Sequence, residues 1–271
     1  MNSSGKIVVV TGAGSGIGRA TALAFAQEGA RIAASDIDQA RLDALRAELG
    51  DRLLLAQRVD VSDRAQVAAF AAAVHEKAPA ADVIVNNAGV AVGGTFLDTS
   101  LDDWDWLLGV NLKGVVHGCH YFIPAMVARG SGHVINISSI LGIYPAPQVT
   151  AYVASKFAVL GLSQSLRAEL APHGVGVTAI CPGMINTGII EGGRMNGGVA
   201  ALKPKLASTF SRGGAPPSVV AKSILDAVRT NPAVQTVGRD AWTIHALTRM
   251  APRIATALGA KFAKRFIPHG G

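Results

Sequence analysis

Cysteine is scarce: the chain has two in 271 residues, Cys119 and Cys181. They stand far apart, each in an apolar run. That excludes a disulfide framework and leaves two reduced, buried thiols as the expectation. No Cys/His group has ligand spacing, so no metal is expected. Charge is sparse as well, at 16% of residues against 49% apolar, a balance that excludes general disorder. No apolar run approaches the ~20 residues of a membrane span. Met1–Lys6 runs directly into Ile7-Val-Val-Val10, which leaves no room for a signal peptide. A soluble, cytoplasmic protein is the expectation. Internal repeats, low-complexity stretches and a second-domain linker are also lacking, so residues 1–238 read as one domain.

The charge that is present is uneven. Of a net +7, residues 239–271 carry +5, from six Lys or Arg against Asp240. A basic tail hints at an anionic surface, whereas nucleic acid would call for a basic whole.

The chain opens with a strand. Ile7–Val10 is a short continuous apolar run, as in a strand buried on both faces. Thr11-Gly12-Ala-Gly-Ser15-Gly16-Ile17-Gly18 follows, then a helical pattern to about Glu28. Glycines between a strand and a helix let backbone N–H groups approach a pyrophosphate, and the helix N-terminus adds its positive end. The second strand, Arg31–Ser35, ends at Asp36. A carboxylate there accepts both hydroxyls of an adenosine ribose and repels a 2′-phosphate. Asp36 could instead cap the next helix, but Asp38 is better placed for that. NAD is therefore favoured over NADP, with Arg19 the residue that argues the other way.

Strands at 53–59, 82–86, 132–138, 174–181 and 233–237 alternate with helical patterns. Alternation predicts an α/β fold: a Rossmann-type, doubly wound parallel sheet of about seven strands flanked by helices. Gly12, Asp36, Asp60 and Asn87 all fall at carboxyl ends of strands, where such sheets bind ligand. Asn111 stands in the middle of a long helix that begins near Trp104. Mid-helix asparagine needs a reason, and a satisfied structural amide is the plainer one. Residues 188–214, rich in Gly and basic residues, suit a mobile lid.

Ser138-Ser139 and Tyr152-Val-Ala-Ser-Lys156 carry the chemistry. Four residues apart on a helix, Tyr152 and Lys156 project from one face. A phenol ordinarily titrates near ~10 and a lysine near ~10.4, and an adjacent ammonium should lower the phenol's pKa. Alone, such a pair is more often a solvated helix face.

Together, these motifs resemble the short-chain dehydrogenase/reductase family over roughly residues 5–238. The matching segments are Thr11-Gly-x-x-x-Gly16-x-Gly18, Asp60-Val61, Asn86-Asn87-Ala88-Gly89, Asn111, Ser139, Tyr152-x-x-x-Lys156 and Pro182-Gly183-x-Ile185-x-Thr187. The resemblance implies hydride transfer between nicotinamide and a secondary alcohol or ketone. It implies that Tyr152 moves the proton, Ser139 holds the substrate oxygen, Lys156 tunes the tyrosine and bonds the nicotinamide ribose, and Asn111 positions a relay water. Only the family offset selects Ser139 over Ser138. Implied cofactor contacts are Gly12, Ser15, Ile17, Asp36, Asp60, Val61, Asn87, Ala88, Gly89, Tyr152, Lys156, Pro182, Gly183, Ile185 and Thr187.

The chain departs from the family at its carboxyl end. Many relatives close with Val-Asp-Gly-Gly in a tetramer interface; here Val237-Gly238-Arg239-Asp240 leads into an extension. A homodimer through the long helices is expected, with a homotetramer as the alternative. Leu247, Ala251, Ile254, Leu258, Phe262 and Phe266 recur at helical spacing among basic residues. They suggest a C-terminal helix packed on the body or a partner subunit, peripheral membrane contact, or a cap over substrate. Apolar residues expected near the pocket (Val90, Ala91, Val92, Ile140, Leu141, Val149, Met184, Ile189) favour a bulky hydrophobic alcohol or ketone over a sugar. A non-catalytic dinucleotide sensor and an epimerase-type sugar enzyme are the competing readings.

Overall fold

The computed structural model describes residues 3–238 and, past them, residues 241, 243, 248 and 250. The helical stripe from Leu247 to Phe266 lies outside the described residues.

Strand and helix alternate as the sequence predicts. β1 (Ile7–Thr11), α1 (Gly16–Gln27), β2 (Arg31–Asp36), α2 (Gln39–Leu49), β3 (Leu53–Arg58), α3 (Arg64–His75) and β4 (Val83–Asn86) form the first half. A two-residue strand β5 (Val92–Gly93) precedes α4 (Leu101–Leu108), a π-helical turn at Gly109–Lys113 and α5 (Gly114–Arg129). Then come β6 (Gly132–Ile137), α6 (Thr150–Leu170), β7 (Val175–Pro182), β8 (Arg194–Met195), α7 (Gly197–Ala200), α8 (Lys203–Gly213), α9 (Pro217–Thr230) and β9 (Val234–Val237).

Seven strands pair in parallel in the order β3-β2-β1-β4-β6-β7-β9. The order reverses between β1 and β4, and the crevice at that point is where open α/β sheets take ligand. Strands β1, β2, β4, β6 and β7 feed both faces. From β1, Val8 and Val10 enter a core with Phe25, Leu42, Leu45 and Ile224. Ile7 and Val9 enter a second core with Phe70, Val74, Phe122 and Met126. Double burial explains the unbroken apolar run of β1; each such side chain, fully buried, contributes about 1.5–3 kcal/mol. The helices that cover the sheet therefore hold its carboxyl edge rigid, and the site is built there.

Asp38 caps α2, its side chain accepting the Arg41 N–H at 3.2 Å, and so leaves Asp36 outside the helix. Residues 188–214, expected as a lid, contain β8, α7 and α8, and β8 pairs in parallel with β5. No described helix is long and apolar enough to cross a membrane. Cys119 and Cys181 are free and buried.

Candidate active site

The loop after β1 is a cradle that only glycine permits. Gly12 has φ +63° and Gly16 φ +51°, a region that β-carbon-bearing residues rarely adopt. A Cβ on Gly12 would meet Ala88 Cα at 2.9 Å, and one on Gly18 would meet the Gly12 carbonyl oxygen at 2.1 Å. Across the sheet switch, the Thr11 hydroxyl accepts the N–H groups of Asn87 (3.0 Å) and Ala88 (3.1 Å). In return the Asn87 amide donates to the carbonyls of Thr11 (2.9 Å) and Gly12 (3.1 Å). Ser15, the N-cap of α1, makes no side-chain capping bond, so the first-turn N–H groups face the cradle rather than a cap. Ile17, two residues on, packs against the first core and anchors that turn. Thr187 closes the far side, its Cγ2 3.1 Å from where a Gly16 Cβ would stand. The cradle fits a dinucleotide pyrophosphate.

Asp36 lies at the end of β2, 7% exposed. One carboxylate oxygen accepts the Gly14 N–H at 2.8 Å and the other the Asp38 N–H at 3.0 Å. Two acceptors with four lone-pair sites leave each oxygen able to take a ribose hydroxyl. Arg19 is engaged elsewhere, in a salt bridge with Glu48. Arg41 pairs with Asp38 at 3.1 Å, and its Cβ comes within 2.7 Å of where a Gly14 Cβ would stand. Sequence reading missed Arg41, which the turn into α2 brings back beside Gly14 and Asp36. Asp60 is held by its own turn, accepting from the Ser62 N–H (2.9 Å) and hydroxyl (2.7 Å). The Val61 carbonyl meets His117 Nδ1 at 2.9 Å. Gly183 donates to the Val237 carbonyl at 2.9 Å, and Ile185 bridges Ala215. These contacts hold the Pro182–Thr187 turn at the sheet edge beside the cradle.

Tyr152 and Lys156 share one face of α6, with Lys156 Nζ 5.6 Å from the centroid of the phenol ring. Lys156 is buried and donates to the Ile137 carbonyl at 3.0 Å. Its burial pushes its pKa down to about 8, opposed by neighbouring Cys181. Tyr152 packs against the buried cluster of Val92, Leu107 and Ala151, which Val90, Trp104 and Trp106 also cover. Burial pushes the phenol up to about 12, and the hydrogen bond with Ser139 only partly offsets this. The expected lowering of the phenol by Lys156 does not show here: burial raises it, Ser139 alone opposes that, and the ammonium donates to the Ile137 carbonyl.

The two serines separate by partner. The Ser138 hydroxyl donates to the Lys156 carbonyl at 2.8 Å, which ties β6 to α6. The Ser139 hydroxyl accepts the Leu141 N–H at 3.1 Å and bonds Tyr152.

Asn111 sits in the π-helical turn between α4 and α5, fully buried. Its amide oxygen accepts the Val90 N–H at 2.8 Å, and its nitrogen donates to the Val90 carbonyl at 3.0 Å and Ser155 Oγ at 3.2 Å. The amide is thus fully hydrogen-bonded, in a kind of turn that is frequent at functional sites. Gly89 brings it close to the lysine: a Cβ there would lie 3.4 Å from Asn111 Oδ1 and 3.5 Å from Lys156 Nζ. Ser155 and the Ile137 carbonyl were not singled out from sequence. Ser155 stood inside the Tyr152–Lys156 spacing as a signal, and the carbonyl gave none.

A model of the short chain dehydrogenase family matches residues 6–195. "Probable oxidoreductase EphD" of Mycobacterium tuberculosis is 41% identical over 256 residues, covering 91% of this chain and 43% of its own length. The chain thus spans less than half of that relative. A short chain dehydrogenase/reductase from Burkholderia phymatum, solved with NAD, superposes with TM-score 0.86 at 31% identity, covering 94% of this chain and 96% of the other. The closed form of a serine dehydrogenase complexed with NADP+ superposes with TM-score 0.78 at 31% identity, over 85% and 94%.

Proposed function

The chain belongs to the short-chain dehydrogenase/reductase family, and from that premise we propose that it interconverts a hydrophobic secondary alcohol and its ketone with NAD(H). The observation that carries the reading is one cluster: the Tyr152 phenol bonded to Ser139, with buried Lys156 beneath it and the glycine cradle across the sheet switch. When bound, the dinucleotide supplies or takes up the hydride. Gly12, Ser15 and Ile17 would hold its pyrophosphate, and Asp36 its adenosine ribose. Asp60 and Val61 would flank the adenine. Asn87, Ala88, Gly89, Pro182, Gly183, Ile185 and Thr187 would line the rest of its path.

Tyr152 passes its hydroxyl proton to a ketone oxygen, or takes one from an alcohol. Ser139 steadies the same oxygen by hydrogen bonding. With its folded pKa near 8, Lys156 is charged for most of the time at neutral pH and favours the phenolate formed in the step. Asn111 keeps the Val90 backbone and Ser155 in place; its proposed part in proton supply passes through a water beside Lys156. Positioned acid/base groups of this kind contribute about 10²–10⁴-fold in rate.

NAD over NADP rests on Asp36, whose charge opposes a 2′-phosphate. The NAD complex of the Burkholderia relative agrees with that, and the serine dehydrogenase with NADP+ is the counterexample. A hydrophobic substrate rests on the apolar neighbours of Tyr152. Homodimerisation through the long helices α5 and α6, with exposed Val116 and Phe157, and a cytoplasmic location complete the reading.

The test is a screen of hydrophobic secondary alcohols and ketones, followed by nicotinamide absorbance with NAD and NADP in parallel. Turnover that is faster with NAD is expected. Activity confined to sugars, or to NADP, would overturn the substrate or the cofactor assignment respectively.

A further inference from the structure

The segment that follows β7 is fastened to α4 through one carboxylate. Asp103, 8% exposed, accepts from Arg194 Nη1 at 3.0 Å and from Asn196 Nδ2 at 2.8 Å. The Arg194 guanidinium also lies 4.0 Å from the ring centroid of Trp106, one turn further along the same helix. Between these two side chains the backbone is stitched to β5: Arg194 N–H to the Ala91 carbonyl at 3.0 Å, Asn196 N–H to the Gly93 carbonyl at 2.7 Å. Register sets Arg194 beside Val92 and Met195 beside Gly93, and alternation sends the two pairs to opposite faces. Met195 seats over Gly93, where a Cβ would meet its Sδ at 2.5 Å.

Other described ties of the segment are buried Ile190 and Val199 and the Asn186 amide, which donates to the Ser211 carbonyl at 3.0 Å. The β5–β8 ladder is two residues long, and α8 buries none of its residues. Lys203 adds one bond, to the Gly193 carbonyl at 2.8 Å. Asp103, by contrast, stands on the helix that carries Trp104, Trp106 and Leu107 into the cluster around Tyr152 and then runs into the turn bearing Asn111.

We infer that Asp103 is a positioning residue: a latch that holds Arg194 and Asn196, and with them a lid formed by residues 188–214, against β5 and the cluster that Tyr152 packs on. The inference rests on the reading of Tyr152 as the acid/base. A latch sets how much of the protein is closed before substrate arrives, so its loss raises the apparent binding constant in proportion to the lost closed fraction and leaves the saturated rate unchanged.

The experiment uses the full chain and compares wild type, Asp103→Ala and Asp103→Asn. Asp103→Ala is expected to raise KM for the best alcohol or ketone about tenfold while kcat stays within about twofold. Asp103→Asn keeps an acceptor for Asn196 and should fall between. Trypsin should cut after Arg194 and Lys205 faster in Asp103→Ala than in wild type. Unchanged KM and unchanged cleavage overturn the latch. So does a fall in kcat with KM unchanged in the correctly folded Asn variant, which would indicate a merely structural role. Should wild type turn over no alcohol or ketone, the oxidoreductase reading falls and the trypsin arm alone decides the latch.

Discussion

Replacing Lys156 with methionine should stop turnover, and it should also change how the fold responds to pH in a calculable way. The ammonium is buried and its folded pKa lies near 8, against 10.5 ordinarily. Below pH 8 both folded and unfolded chains hold the proton, and the folded chain carries the full desolvation penalty. That penalty is about 3 kcal/mol, at 1.36 kcal/mol per unit. Between pH 8 and 10.5 the unfolded chain binds more protons than the folded one, so the penalty is relieved and wild-type stability rises with pH. Methionine has no such dependence. Losing the bond to the Ile137 carbonyl (3.0 Å) costs the variant a constant amount, which cancels when the two chains are compared at two pH values. Urea unfolding at pH 7.5 and 9.5 should therefore show wild type gaining about 2 kcal/mol on Lys156→Met. Other groups that titrate in this window, the buried thiols included, are common to both chains. A stability difference that does not move with pH would mean that the ammonium is solvated, and would refute the burial reasoning for the pair.

Two further outcomes follow from the same structure. His133, bonded to Thr178 Oγ1 at 2.9 Å, is pushed down to about 4 by burial and by Arg167. Its unfolded form binds the extra proton between pH 6.5 and 4, so wild type should lose about 2 kcal/mol from pH 7 to 4.5, and His133→Gln should lose that much less; parallel urea curves for the two would contradict it. Asp36→Ala should reduce the ratio of kcat/KM for NAD over NADP by at least about tenfold, since one repulsive charge near a phosphate is at stake; an unaltered ratio would remove Asp36 from cofactor choice.

The frame was legible because its signals are local. An unbroken apolar run means a strand covered on both faces, and glycines after it mean a turn that Cβ atoms would block. Asp38 could be told from Asp36 because a cap must stand next to its helix. Other features depended on contacts that no spacing encodes. Ser138 and Ser139 reach the same edge, where the carbonyl of Lys156 engages the first and Tyr152 the second. Pairing Tyr152 with Lys156 was readable, but the upward shift of the phenol was not, because burial is a property of the whole cluster around it. Strands β5 and β8 are two residues each, too short for any period to appear. Arg194 and Asp103 stand 91 positions apart, so the contact between them is purely tertiary.

The central claim is that the Tyr152 hydroxyl moves the proton that accompanies hydride transfer. The most direct measurement is single-turnover oxidation or reduction of the best substrate by Tyr152→Phe, with NADH affinity determined alongside by fluorescence. The account predicts a rate reduced by at least about 10²-fold with NADH affinity within a few-fold of wild type; turnover at the wild-type rate would contradict it.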